Sequence, residues 1–372
     1  MLLDRTNKSF FGQWWWTIDR VALLLIGSIL ALGSVLVMAS SPPIAESRGL
    51  PAFYFVHRQL IFLTAGILIT FIFSLLSPIV IRRIALLGFI LCTILMIAVL
   101  LIGTEVKGAK SWINFAWFSI QPSEMMKPFF IVLVAWLLAL KNIRGDFPGY
   151  TVVTALWIMV IILIVSQPDI GMVFLYSIVW GSQLFLAGLP MIFVIGGAVI
   201  GISGLTAAYF MFPHVANRMK IFISPESGDS YQNEKALEAF VNGGLFGQGP
   251  GEGIIKDILP DAHTDFVFAV AGEEFGLILC IFIVILYASV VARGFYTLLK
   301  ESDLFVIYAC SGLLLEFGLQ AIINMGVSLN LLPNTGMTLP FMSYGGSSMI
   351  SVACSMGMVL AFTRKRYGAI KR

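Results

Sequence analysis

The residue whose type and setting most invite chemistry is Asp265. It stands two residues after His263 and directly before an apolar run, at the polar end of one long loop. The rest of the chain is mostly apolar. A carboxylate at a membrane boundary is costly unless it is used or paired. Asp265 therefore reads as the working base of a membrane-embedded enzyme, with the rest of the chain building the cavity around it. Glu124 and Lys127 are a second constellation, three residues apart on one face of a helix that starts near Pro122. Each of these residues also has a plainer use. Asp265 or Thr264 could cap the following helix, and Asp169, beside Pro168, could cap another. Glu124 and Lys127 could form only an ion pair, and Arg58 could extend to lipid headgroups. Glu273 and Glu274 fit hydrogen bonding within the bundle better than substrate contact. His263 fits positioning better than metal ligation. Ser343 to Ser348 could line a cavity or cap the last helix.

The elements that must hold these groups follow from composition. Of the 372 residues, 59% are apolar and 12% charged. Soluble domains carry roughly 25% charged residues, so this chain belongs in a bilayer. Ten apolar stretches approach the roughly 20 residues needed to cross one. They are 20–40, 59–76, 83–102, 125–140, 150–166, 171–187, 190–211, 266–292, 303–325 and 346–363. The expected fold is all-α, a single polytopic domain over 1–372. A cytoplasmic tail covers 1–19, a large extracytoplasmic loop 212–265, and a second tail 364–372. With both termini inside, the cytoplasmic side holds 14 of the 23 Lys and Arg residues but 5 of the 20 Asp and Glu residues. That satisfies the positive-inside rule and turns the unusual polar loops outward. No cleavable signal is read at the N-terminus. The four cysteines all lie in apolar runs and read as packing residues.

Among the polar segments, 108–113 reads as a short hairpin or amphipathic element, and about 231–241 as a surface helix. The segment 332–348 is rich in Gly, Pro and hydroxyls yet short and apolar. It is expected to be re-entrant and buried in protein, where irregular backbone is tolerated at membrane depth. The glycine run 247–253 follows no strand and faces outside, so it is not a nucleotide loop.

Five strings carry a resemblance: QPSEMMK (121–127), QPDIG (167–171), GGLFGQGPGEG (243–253), LPDAHTDFVFAVAGEE (259–274) and LPNTGMTLPFMSYGGSS (332–348). In this order they resemble the SEDS family (shape, elongation, division and sporulation), over residues 17 to 366. Thr338 and the tryptophan-bearing N-terminus (Trp14 to Trp16) look like its division-type branch; the elongation type more often has proline at the Thr338 position. The resemblance implies a ten-span bundle that polymerises lipid II into peptidoglycan glycan strands. It places the base on Asp265 and substrate or pyrophosphate contacts on Arg58, Lys110, Glu124, Lys127 and Asp169. His263 and Ser343 complete the candidate set. Many members have arginine where this chain has Lys110, and lysine lacks the bidentate fork.

What the resemblance implies chemically is one inverting displacement. Asp265 takes the proton of an acceptor sugar hydroxyl, which is worth roughly 10²–10⁴-fold. Undecaprenyl pyrophosphate leaves, and cations aimed at it stabilise the developing charge. A β-linkage from an α-linked donor needs no covalent intermediate. A divalent cation, Mg or Mn, could share the work, although no metal-ligand constellation stands out. Implied partners are lipid II, the nascent strand, a class B penicillin-binding protein with a single span, other divisome proteins and membrane lipids, with no nucleic acid. The implied location is the bacterial inner membrane at the septum. Competing readings are a lipid II flippase, a non-catalytic scaffold and an elongation-type polymerase. A transporter usually shows repeats, and none is found between the two halves.

Overall fold

The computed structural model describes residues 10–106, 109–115, 118–211, 216, 222 and 231–365. The helices among them are α1 (Phe10–Thr17), α2 (Arg20–Ser40), α3 (Pro42–Ser47), α4 (Tyr54–Leu75), α5 (Pro78–Ile102), α6 (Pro122–Ile143), α7 (Gly149–Val165), α8 (Ile170–Leu186), α9 (Met191–Met211), α10 (Tyr231–Gly243), α11 (Ile255–Ile258), α12 (Val267–Leu298), α13 (Leu304–Ser328) and α14 (Gly346–Phe362). A helix covers most or all of each apolar stretch read from the sequence. Six of them (α2, α4, α5, α6, α12 and α13) are long and apolar enough to cross a membrane. The 17-residue helices α7, α8 and α14 span about 25 Å.

The starts of these helices are written locally. Asp19, Ser77, Asp169 and Asp303 cap α2, α5, α8 and α13 by accepting from first-turn N–H groups. Proline occupies the first turn of α5 and α6. Packing then sorts them. In α6 and α13, 72% of the apolar window is buried, against 22–33% in α2, α4, α5 and α12. The first pair is the centre of the bundle and the others are its wall.

One expectation is corrected and another gains detail. A small antiparallel sheet departs from an all-α fold: β1 (Thr104–Val106) pairs with β2 (Ala109–Asn114), which pairs with β3 (Ser119–Ile120). The described parts of the two tail segments also contact the bundle. Residues 10–17 form α1, whose Trp14 Nε1 donates to Ser74 Oγ at 2.8 Å. Arg364 Nε donates to Thr17 Oγ1 at 3.1 Å, and Arg293 pairs with Asp19 at 2.7 Å. These contacts stitch the basic end of the bundle.

The opposite end carries the loops. The segment after α13 folds back among the helices. Met337, Leu339, Phe341, Met342 and Ser343 are buried. The Tyr287 hydroxyl, far along α12, donates to Pro340 O. A Cβ on Gly33, inside α2, would lie 2.4 Å from Phe341 O, so only glycine lets this backbone descend between the helices.

The glycine string 243–253 has a different job. Helix α12 is broken at Gly276, whose φ is 76°. A break orphans backbone groups, and buried ones must be paired. The string supplies the partners in both directions. Gln248 N and Gly249 N donate to Glu273 O (2.9 Å) and Glu274 O (3.0 Å), while Leu277 N donates to Gly244 O at 3.0 Å. A Cβ on Gly247 would fall 2.2 Å from Glu274 O. The string splints a broken helix.

Candidate active site

Asp265 lies at the loop end, half-buried, in the turn that leads into α12. Its N–H donates to Asp261 O at 3.0 Å, closing a turn in which Asp261 has a φ of 57°. Phe266, and not Asp265, stands at the N-cap of α12. Thr264 Oγ1 donates back to Asp261 O. Its carbonyl accepts from Asn324 Nδ2 at 2.8 Å.

His263 anchors the same turn through its ring. It is buried between Phe55 and Tyr344, with centroids 4.8 and 5.2 Å away. Tyr344 N also donates to His263 O at 2.8 Å. Arg58 Nη1 donates to Tyr54 Oη at 3.2 Å. It also acts on Tyr344, whose phenol burial pushes up and the nearby Arg58 charge pulls down.

Glu124 and Lys127 are at the start of α6. Lys127 Nζ lies 2.8 Å from Glu124 and 3.2 Å from Glu316, and donates to Gln320 Oε1 at 2.5 Å. All four residues are buried. Their local structure has a cause in sequence. Pro128 has no N–H for the Glu124 carbonyl, and Ser351 Oγ fills that need at 2.7 Å. Ser355 Oγ donates to Glu316 Oε2 at 3.3 Å. With one lysine against two glutamates, the positive charge of Lys127 is already met inside the protein.

The remaining candidates are dispersed. Lys110 Nζ donates to Leu100 O (3.0 Å) and Leu101 O (3.4 Å), at the C-terminal end of α5 where carbonyls lack partners. Asp169 accepts from Met172 N (3.2 Å), as a cap, and from Gln121 Nε2 (3.1 Å). Ser343 Oγ accepts from Leu339 N at 2.8 Å, closing the re-entrant turn. Glu273 accepts from the backbone N–H of Ile254, Ile255 and Lys256. Glu274 pairs with Lys256 at 2.5 Å. These two act within the bundle, as read. Asp265, His263, Ser343 and Arg58 thus gather around the Tyr344 loop, Glu124 and Lys127 lie deeper, and Lys110 and Asp169 stand aside.

Glu316, Gln320 and Asn324 were missed as site residues. They recur at i, i+4 and i+8 on one face of α13, a polar stripe in an apolar span. Intramembrane ionisable and amide groups at helical spacing are the signal that would have found them. Among the described residues no group of three or more His, Cys, Asp or Glu could hold a metal ion. Among the described residues, the donor set does not by itself make a site for a divalent cation.

Known proteins resemble this chain over nearly its whole length. "Probable peptidoglycan glycosyltransferase FtsW" of Caulobacter vibrioides is 43% identical over 366 residues, covering 98% of this chain and 94% of that protein. "Stage V sporulation protein E" of Bacillus subtilis is 31% identical, covering 93% and 97%. A solved structure titled "Structural coordination of polymerization and crosslinking by a peptidoglycan synthase complex" superposes with a TM-score of 0.78 at 27% identity, covering 93% and 97%. The rod shape determining protein RodA of Thermus thermophilus gives 0.69 at 25% identity, covering 94% and 97%. The family model FtsW/RodA/SpoVE, described as "Cell cycle protein", matches residues 20–368. The chain is a multi-pass membrane protein and belongs to the FtsW/RodA/SpoVE family.

Proposed function

We propose that this chain is a peptidoglycan glycosyltransferase that polymerises lipid II into glycan strands during cell division. The observation that carries the reading is Asp265: a half-buried carboxylate at the loop end, outside the cap position, on a turn fixed by His263, Tyr344 and Asn324. The FtsW name of the relatives supports the activity and the division role. Ten spans, with both termini in the cytoplasm and the loop end outside the inner membrane at the septum, fit the basic residues gathered at the stitched end.

In this reading Asp265 takes the proton from the acceptor sugar hydroxyl as that oxygen attacks the anomeric carbon of the donor. The bond from that carbon to the pyrophosphate oxygen breaks in the same step, and undecaprenyl pyrophosphate leaves with the electron pair. Arg58 is the better placed cation for the leaving group. Lys127 is enclosed by two carboxylates, so its part is to order the cavity floor. Lys110, Asp169 and Ser343 shape the walls. The polyprenyl tails remain in lipid among the exposed faces of the wall helices. A class B penicillin-binding protein is the proposed partner, supported by the neighbouring structure of a complex that couples polymerisation with crosslinking.

The test is Asp265→Asn in purified protein given lipid II, with glycan products resolved by gel. Polymer is expected from wild type and none from the variant, at unchanged folding. A variant that still polymerises rejects the assignment. Lipid II translocation, measured in parallel in liposomes, separates polymerase from flippase.

A further inference from the structure

Gln320 and Asn324 lie one turn apart on α13 and are 0% and 1% exposed. Their amides reach consecutive carbonyls of the re-entrant segment. Gln320 Nε2 donates to Thr338 O at 2.9 Å and Asn324 Nδ2 to Met337 O at 2.7 Å. Each amide has a second partner. Gln320 Oε1 accepts from Lys127 Nζ, and Asn324 Nδ2 donates to the carbonyl of Asp265. Both contacts of Asn324 are carbonyl oxygens, so only its NH₂ can serve them and the amide has one orientation. Two buried amides therefore tie together three parts of the chain: the Lys127 cluster, the re-entrant segment and the turn that carries Asp265. Burying amides is costly unless they are bonded. Apolar side chains would fill a helix seam without that cost.

We infer that Asn324 and Gln320 are positioning residues for the glycosyl transfer. They hold the backbone of Asp265 at the height where its short side chain meets the acceptor hydroxyl. The inference rests on Asp265 being the base proposed above. An aspartate carboxylate is one methylene from the backbone, so a shift of the turn moves the base directly. A misplacement of about 1 Å can cost roughly 10²-fold in rate. Asn324 supports the turn itself. Gln320 supports it through the 337–338 segment, so its loss costs less.

The experiment measures kcat, KM and the number of lipid II binding sites for the purified full-length protein with Asn324→Ala, Asn324→Ser, Gln320→Ala, the Ala/Ala double variant and Asp265→Asn. Expected for Asn324→Ala is a roughly 100-fold fall in kcat with KM and binding sites unchanged. Gln320→Ala shows a smaller fall, and the double variant is no worse than Asn324→Ala, because coupled supports are not additive. The acid limb of the pH–rate profile stays in place, since the base is the same group. Wild-type kcat in Asn324→Ala beside a dead Asp265→Asn overturns the positioning role alone. An active Asp265→Asn overturns the base assignment instead. A rate loss matched by lost binding sites marks damage to the fold and also overturns the inference. If Asn324→Ala does not survive purification, Asn324→Ser and Gln320→Ala decide by the same criteria, and failure of all three to fold assigns the pair to structure.

Discussion

Two buried sites in this chain hold the same charges, one lysine and two glutamates, and satisfy them in opposite ways. In the bundle core, Lys127 lies between Glu124 on its own helix and Glu316 on α13, at 2.8 and 3.2 Å. The balance is side chain to side chain, across a separation of just over half the sequence. At the loop end, Lys256 pairs with Glu274, while Glu273 takes three successive backbone N–H groups and the Asn242 amide. There the partners lie within about thirty residues and one of the two carboxylates is absorbed by backbone. The first arrangement exists only when the whole bundle is assembled. The second can form with its loop alone, and it holds that loop on the broken helix α12. A charge paired across helices is a lock on tertiary structure; a charge bound by local amides is a clamp on a segment.

The contrast can be broken from either side. The largest effect is expected from Lys127→Met, which leaves two buried glutamates without their cation. Removing one partner of a buried ion pair costs about 3–5 kcal/mol, enough to unfold the bundle or abolish expression. Adding Glu124→Gln and Glu316→Gln to that variant should restore a folded protein, because a neutral, well-packed replacement is often no worse than the ion cluster. Thermal midpoints in detergent decide both. Failure of the triple variant to recover would mean that the cluster's geometry, and not its charge balance, keeps the bundle together. Glu273→Gln comes next. The amide turns donors toward backbone N–H groups that need acceptors, a loss of about 1–3 kcal/mol. Hydrogen exchange or limited proteolysis should find the opening confined to residues 244–258, with the global midpoint little moved. Global unfolding at the cost of Lys127→Met would erase the distinction between lock and clamp.

The same contrast explains what could be read in the sequence. Helix positions were legible because apolar length and caps are local, down to Asp169 and Pro122 at helix starts. The Glu124–Lys127 pair was legible because i, i+3 neighbours share a face. That Glu316 and Gln320 complete it was not, since no local rule says which helix stands opposite. Asn324 hid for a related reason: a single amide in a span acquires meaning only from the carbonyls that meet it. Lys110 was placed near substrate by the resemblance, and that its Nζ meets the last carbonyls of α5 depends on the pairing of β2, which no local rule announces. The glycine string read only as a turn outside any strand. Its real task, filling the break at Gly276, depends on a kink that an apolar run does not announce.

The smallest effect sharpens the clamp. Asp257, one residue from Lys256, has its carboxyl pKa raised, first by partial desolvation, with Lys256 opposing and Glu273 and Glu46 adding to the rise. A carboxyl whose folded pKa is raised is better tolerated protonated than ionised. Its contribution is therefore complete below the unfolded value of about 4 and is lost as pH climbs through the raised folded value. Asp257→Asn should match wild type in acid and become slightly more stable as pH rises to neutral. The side chain is exposed, so solvent screening keeps the gain small. Thermal midpoints of the two proteins from pH 4 to 8 test it. A difference that does not change with pH would mean that neither the desolvation nor the Glu273 and Glu46 charges act on Asp257.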